Sequence, residues 1–274
     1  MLPCREDMIL IDKKNRGLNN GGLSNFTQAI TGQEQNAIVL HFKNELMTSG
    51  KAVKLKNVAI MTVSEEDTYR DYDGCPSKFL ISCLNQIENG LNHDGAFVNE
   101  RDRRFFALPW GFEFWKCYSN GKDIVDTSQA DSAIDQIAWI VSTASDTIAR
   151  KEEELSTTSP FLVYLVPSQQ EAIKVLKVCN PLKACGTYTV CLHPGTSIDH
   201  QINDLKTCEP EFIISTPERL TELISLNAID LSGVSFLVID GPAYDVRSVE
   251  AIKSIKNSIS STSQTMVFGG CLNQ

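Results

Sequence analysis

Two short apolar runs that never alternate with polar residues constrain this chain more than any other feature: residues 212–214 (Phe-Ile-Ile) and 236–239 (Phe-Leu-Val-Ile). A strand with one wet face alternates apolar and polar; a strand covered by helices on both faces is apolar throughout. Between the runs, Pro217 suits a first helical turn, where its missing N–H would have no helical partner anyway. Residues 211–243 therefore predict strand, helix, strand, the unit of a parallel α/β sheet. In such sheets function gathers beyond the carboxyl ends of the strands. Here those ends are residues 216–219 and 240–243.

The same alternation extends in both directions. Strands are expected at 161–166, 188–192 and 265–268, and helices at 133–154, 170–178, 198–205 and 249–259. Repeated βα units of this length imply a doubly wound parallel sheet with right-handed crossovers. Upstream, residues 105–115 (FFALPWGFEFW) form an aromatic cluster, followed by Gly121-Lys122-Asp123 and a short apolar run at Ile124-Val125. Pro76-Ser77 opens a helix with Phe79, Leu80, Cys83, Leu84, Ile87 and Leu91 on one face. A short helix at 36–47 and a strand at 53–63 are weaker signals. Residues 64–73 read as a solvated acidic loop and 99–104 as a charged connector. Residues 1–30, rich in Asn, Gly and charge, predict a mobile segment. The division expected is 1–30 mobile, 31–104 an N-terminal α/β extension, and 105–274 the doubly wound domain.

Bulk properties exclude some functions. A hydrophobic content of 42% and a charged content of 22% suit a soluble globule. A net charge of −9 argues against coating nucleic acid by bulk attraction, leaving only a local basic patch. No apolar run approaches the roughly 18 residues of a membrane span, and no signal peptide is evident. The nine cysteines contain no C-x-x-C pair, so neither a disulfide framework nor a zinc site is expected. Cys179, Cys185 and Cys191 read as core residues. A reducing interior, nucleus or cytoplasm, follows.

Over residues 105–274 the order of landmarks resembles the first RecA-like domain of DEAD-box RNA helicases, a P-loop NTPase type of sheet. The family's P-T-R-E-L-A is similar to Pro167-Ser168-Gln169-Gln170-Glu171-Ala172, and its paired-glycine loop to Pro194-Gly195. T-P-G-R looks like Thr216-Pro217-Glu218-Arg219, and D-E-A-D like Asp240-Gly241-Pro242-Ala243. S-A-T after a Q-T-M-x-F strand corresponds to Gly269-Gly270-Cys271. Gly121-Lys122-Asp123 stands where G-K/R-D precedes the phosphate loop, and Pro109-Trp110-Gly111 where P-x-Q reads adenine.

The departures fall on the nucleotide side. A phosphate loop needs G-x-x-x-x-G-K-[ST], with N–H groups and a lysine for the phosphates and a hydroxyl for Mg²⁺. Residues 128–136 (SQADSAIDQ) have no glycine, and Asp135 and Gln136 stand where lysine and threonine belong. Ser132 and Asp135 form an S-x-x-D capping box, which would occupy the helix N–H groups that attract anions. Gly241 replaces the glutamate that positions water, and Gly111 replaces the glutamine. The resemblance thus implies a vestigial nucleotide site at Gly111, Ser132, Asp135, Gln136, Asp240 and Gly241. Asp240 is equally read as a strand-end residue capping a local turn. A weak RNA-facing set follows at Pro167, Ser168, Gly195, Thr216, Pro217 and Arg219, with Arg219 alternatively in a surface salt bridge.

Three functions are expected. The first is a helicase-like domain without ATPase, cofactor or metal, serving as an RNA-associated or protein-binding scaffold. The second is the ATP- and Mg-binding half of a helicase truncated before its second domain. The third is a protein-interaction module using the acidic N-terminal region and the aromatic cluster.

Overall fold

A computed structural model describes residues 52–55, 75–93, 104–127, 131–151, 159–241 and 246–268. They belong to one compact unit spanning Thr31–Gln274. The expected helix at 36–47, the loop at 64–73 and the tail of the strand at 53–63 lie outside the described residues, as do Pro242, Ala243 and Gly269-Gly270-Cys271.

In chain order the elements are β1 (Ala52–Leu55), α1 (Lys78–His93), a 3-10 turn (Phe105–Ala107), α2 (Pro109–Ser119), β2 (Asp123–Asp126), α3 (Ile134–Lys151), β3 (Leu162–Leu165) and α4 (Gln169–Cys179). A second 3-10 segment (Asn180–Cys185) leads to β4 (Thr189–Leu192), α5 (Ile198–Cys208), β5 (Phe212–Ser215), α6 (Pro217–Ser225), β6 (Phe236–Ile239), α7 (Val246–Ser258) and β7 (Gln264–Phe268). The seven strands form one sheet in the order β1-β2-β7-β6-β3-β5-β4, every pair parallel. β1 lengthens the sheet by pairing along β2, Ala52 opposite Asp123.

Residues within each strand alternate between two cores. Leu162, Tyr164, Phe212, Ile214, Phe236 and Val238 face the layer of α1 to α4. Val163, Leu165, Ile213, Leu237 and Ile239 face the layer of α5 to α7. Both faces being covered is why these runs carry no polar alternation. Local signals set several helix starts. The Ser77 hydroxyl accepts from Leu80 N at 3.0 Å, Ser168 from Glu171 N at 3.3 Å, and Ser197 from His200 N at 3.4 Å. Each satisfies a first-turn donor that the helix itself leaves open.

The aromatic cluster departs from expectation. It forms a 3-10 turn and α2, and its rings belong to the core rather than to a docking face. Phe105 and Phe114 are fully buried and Trp115 nearly so, with Trp110 and Phe112 packed against them. Trp110 stacks on Phe114 with ring centroids 5.3 Å apart, and the Trp139 indole N–H donates to Phe105 O at 2.8 Å. Rings of this size dominate a core because each removes so much apolar surface from water.

Candidate functional site at the carboxyl ends of the strands

The end of β6 delivers Asp240 to the mouth of the sheet, beside β3. Its carboxylate accepts from Ser132 N at 2.8 Å, from the Ser132 hydroxyl and from the Tyr164 hydroxyl at 2.9 Å. The Tyr164 hydroxyl also lies 3.0 Å from that of Ser132, so its single proton is shared between the serine oxygen and the carboxylate. Lys174, on α4, donates to Ser132 O at 2.8 Å and to Glu171 at 3.2 Å, and lies 3.7 Å from Asp131. The segment entering α3 is thus held by β6, β3 and α4 together.

The entrance of α3 shows the second departure. Ser132 does not pair with Asp135 in a capping box, because its hydroxyl is turned to Asp240. The reciprocal bond forms one residue later, where Gln136 Oε1 accepts from Ala133 N at 2.9 Å. Ser132 N and Ala133 N, two donors at this helix entrance, are therefore met by protein acceptors. Burial pushes the Asp135 carboxyl up, opposed by the backbone N–H groups of Asp135 and Gln136 beside it.

Gly111 sits in the first turn of α2 against the face of Trp139. A Cβ there would lie 2.0 Å from Trp139 Cε2. Its neighbour Trp110 donates to Asp126 Oδ2 at 2.8 Å, and Gln136 Nε2 donates to the same oxygen at 2.9 Å. One buried carboxylate at the end of β2 so ties α2 to the start of α3.

The loops after β3, β4 and β5 line the other half of this edge. Pro167 packs toward Gly241, whose φ is +105°; a Cβ on Gly241 would meet Pro167 Cγ at 3.0 Å. Ser168 caps α4. Gly195 approaches Gln169 so closely that a Cβ would meet its amide at 2.4 Å, and Gly195 N donates to His193 Nδ1 at 3.1 Å. Thr216 and Pro217 begin α6, with the Thr216 hydroxyl buried and without a hydrogen-bond partner among the described residues. Arg219 is 9% exposed. It donates to Thr196 O at 3.1 Å and Gln201 Oε1 at 2.9 Å, and Glu222 lies 3.1 Å from its Nε. It is held inside the protein as well as in an ion pair.

Sequence reasoning missed Asp126, Trp139, Tyr164, Lys174 and Gln201. Tyr164 carried a signal, being the only polar side chain in the apolar run 161–166. A buried hydroxyl there needs a partner, and Asp240 and Ser132 supply it.

Burial also pushes the Asp240 carboxyl up, opposed by the bonds from Ser132 and Tyr164 and by Lys174. A folded-state pKa above the ordinary 3.8 favours the fold when the group is protonated. That contribution is present below the ordinary value and lost as pH rises through the raised one. The stability gap between the native protein and Asp240→Asn should widen as urea melts step from pH 7 toward pH 4. A gap that narrows on acidification would contradict this direction.

The DEAD/DEAH box helicase family model matches residues 134–272. The chain is 30% identical over 123 residues to "Pre-mRNA-processing ATP-dependent RNA helicase prp5" of Sclerotinia sclerotiorum, covering 43% of this chain and 11% of that protein. It is 30% identical over 159 residues to "DEAD-box ATP-dependent RNA helicase 5" of Oryza sativa subsp. japonica, covering 56% of this chain and 30% of the relative. The chain thus spans well under half the length of these relatives. Among solved structures, the DEAD-box helicase Mss116 bound to ssRNA and UDP-BeF superposes with a TM-score of 0.56 at 14% identity, over 80% of this chain and 42% of that one. This is a likeness of fold. With the family model matching just over half of its 274 residues, the chain belongs to the DEAD/DEAH box helicase family.

Proposed function

We propose that residues 105–274 form a RecA-like domain that does not bind or hydrolyse ATP and serves as an RNA-associated or protein-binding scaffold. The observation that carries this reading is the Asp240 carboxylate, engaged by Ser132 N, the Ser132 hydroxyl and Tyr164. An acid so engaged has to break buried hydrogen bonds before it holds a metal, at roughly 1–3 kcal/mol for each group left unpaired. ATP and Mg²⁺ do not fit the remaining residues. The entrance of α3 offers Asp135 and no lysine, the N–H groups of Ser132 and Ala133 already have acceptors, and Gly241 has no carboxylate to orient water. Gly111, Ser132, Asp135, Gln136, Asp240 and Gly241 are then the remnant of a nucleotide site.

Pro167, Ser168, Gly195, Thr216, Pro217 and Arg219 form the polymer-facing edge in this reading, with contact limited to backbone, hydroxyl and shape. Arg219 favours a second reading, a protein-interaction module without RNA. Its guanidinium would have to leave Thr196 and Gln201 to reach a phosphate. The names of the relatives, which include pre-mRNA processing, support a ribonucleoprotein partner and the nucleus as its place.

Titration of the full chain with a fluorescent ATP analogue and magnesium should give no saturable signal up to about 1 mM, weaker than about 4 kcal/mol of binding. Micromolar binding would overturn the proposal in favour of a working nucleotide half. Single-stranded RNA should shift weakly at low ionic strength and not at physiological salt, as few phosphate contacts predict. No shift at any salt selects the protein-only reading.

A further inference from the structure

Two free thiols meet where α1 packs against the 3-10 segment Asn180–Cys185. The two elements are pressed together. A Cβ on Gly90 would lie 2.7 Å from Pro181 Cγ, so glycine is what lets the helix come this close. Two turns earlier on α1, the Cys83 thiol donates to Cys185 Sγ. Cys83 is fully buried, whereas Cys185 is half-buried and packs at the rim of the same core. Gly186, with φ +85°, follows at once, and its N–H closes the segment onto Leu182 O and Lys183 O.

The two sulfurs differ in what reaches them. Burial pushes the Cys83 thiol up, and the neighbouring Cys185 pushes it further, so Cys83 stays protonated and shielded. Cys185 is the member of the pair that a dissolved oxidant meets. A sulfenic acid formed there already has a second sulfur in contact, which stands at a high effective concentration.

We propose that Cys83 and Cys185 are an oxidative modification site that closes to a disulfide when the protein meets a peroxide. The Cys185 thiolate attacks one peroxide oxygen, becomes the sulfenic acid, and water leaves with the proton of the thiol. The Cys83 sulfur then attacks Cys185 Sγ and expels hydroxide, which takes the Cys83 proton and departs as a second water. Two thiols are oxidised by two electrons and one peroxide is reduced to two waters. The new bond ties α1 to the segment that leads into β4. It closes a loop of about 100 residues, long enough for a cross-link to restrict the unfolded chain strongly. The inference does not rest on the loss of ATP binding.

The full chain is exposed to hydrogen peroxide at neutral pH, its remaining thiols are alkylated, and the monomer is digested without reductant. Mass spectrometry should find the Cys83 and Cys185 peptides joined. The melting temperature should rise by roughly 5–15 °C and fall back with dithiothreitol. In Cys185→Ser, a change at a half-buried position, Cys83 should stay reduced and the melting temperature should not respond to peroxide. In Cys83→Ala, dimedone should trap a sulfenic acid at Cys185; if that variant does not fold, Cys185→Ser carries the test alone. Cys185 driven to sulfinic acid with Cys83 still reduced, Cys185 joined instead to Cys179 or Cys191, or a link that forms only above the melting temperature would overturn the site.

Discussion

Gly111→Gln, which restores the residue that the helicase resemblance places at this position, should unfold the domain earlier rather than restore a nucleotide site. The expected loss is about 2–3 kcal/mol, the upper range for overpacking a core. The melting temperature should fall by roughly 4–12 °C. The new Cβ would lie 2.0 Å from Trp139 Cε2 and 2.1 Å from its Nε1. Trp139 has no ready escape. It is 1% exposed, donates to Phe105 O, and is backed by Phe112 with ring centroids 5.4 Å apart. Glutamine recovers up to about 1 kcal/mol of helix propensity over glycine, less than the collision costs. Trp139→Ala alone should cost about 3–5 kcal/mol, yet the double variant should lose less than the sum, because each change makes room for the other. Denaturant melts of the four proteins test this. A Gly111→Gln protein as stable as the native one would show that the ring moves freely, and the packing argument would fail.

Asp240→Ala should destabilise by about 3 kcal/mol, since it strands Ser132 N and removes the acceptor of two buried hydroxyls. Ser132 and Tyr164 retain their mutual bond, which limits the loss. The sign is the informative part. In a site kept for binding a cation, an acid held without its ligand usually weakens the fold, and its removal is neutral or stabilising. A structural acid behaves in the opposite way. Hydrogen exchange at the Ser132 amide should accelerate in the variant, and a cycle with Ser132→Ala should return a coupling of about 1–3 kcal/mol. A more stable Asp240→Ala protein would mean that the network is incidental and the site is still poised for metal.

The two residues also mark what was legible in advance. Positions 111 and 240 stand out in the sequence because glycine and a strand-end aspartate occupy the places where the family motif has a glutamine and its first acid. That comparison gave their place along the chain and nothing about their contacts. An aspartate after a strand most often serves the next few residues, whereas the carboxylate of Asp240 accepts from Ser132, 108 positions away. The Ser132–Asp135 box failed for the same reason. A long-range acceptor competed for the serine hydroxyl, and Gln136 took over the local role. Arg219 was visible as a charge at a helix start, but its holders, Thr196 and Gln201, belong to the neighbouring loop and helix.

The sequence by itself determined the alternation of strands and helices from residue 161 onward, the doubly covered sheet and the helix start at Ser77. Each of these depends on residues within a turn or a strand of one another, so the pattern carries the physics. It did not reveal that the aromatic run 105–115 would coil into a helix and enter the core. Only the tertiary structure decided that Asp240 meets Ser132 and Tyr164, that Gly111 receives Trp139, and that Arg219 points inward. The first and last of these pairings follow from strand order, β6 beside β3 and β4 beside β5, and the second from α2 packing on α3. Strand order arises from burying both faces of the sheet at once, an energy shared by the whole chain and written in no local stretch of it.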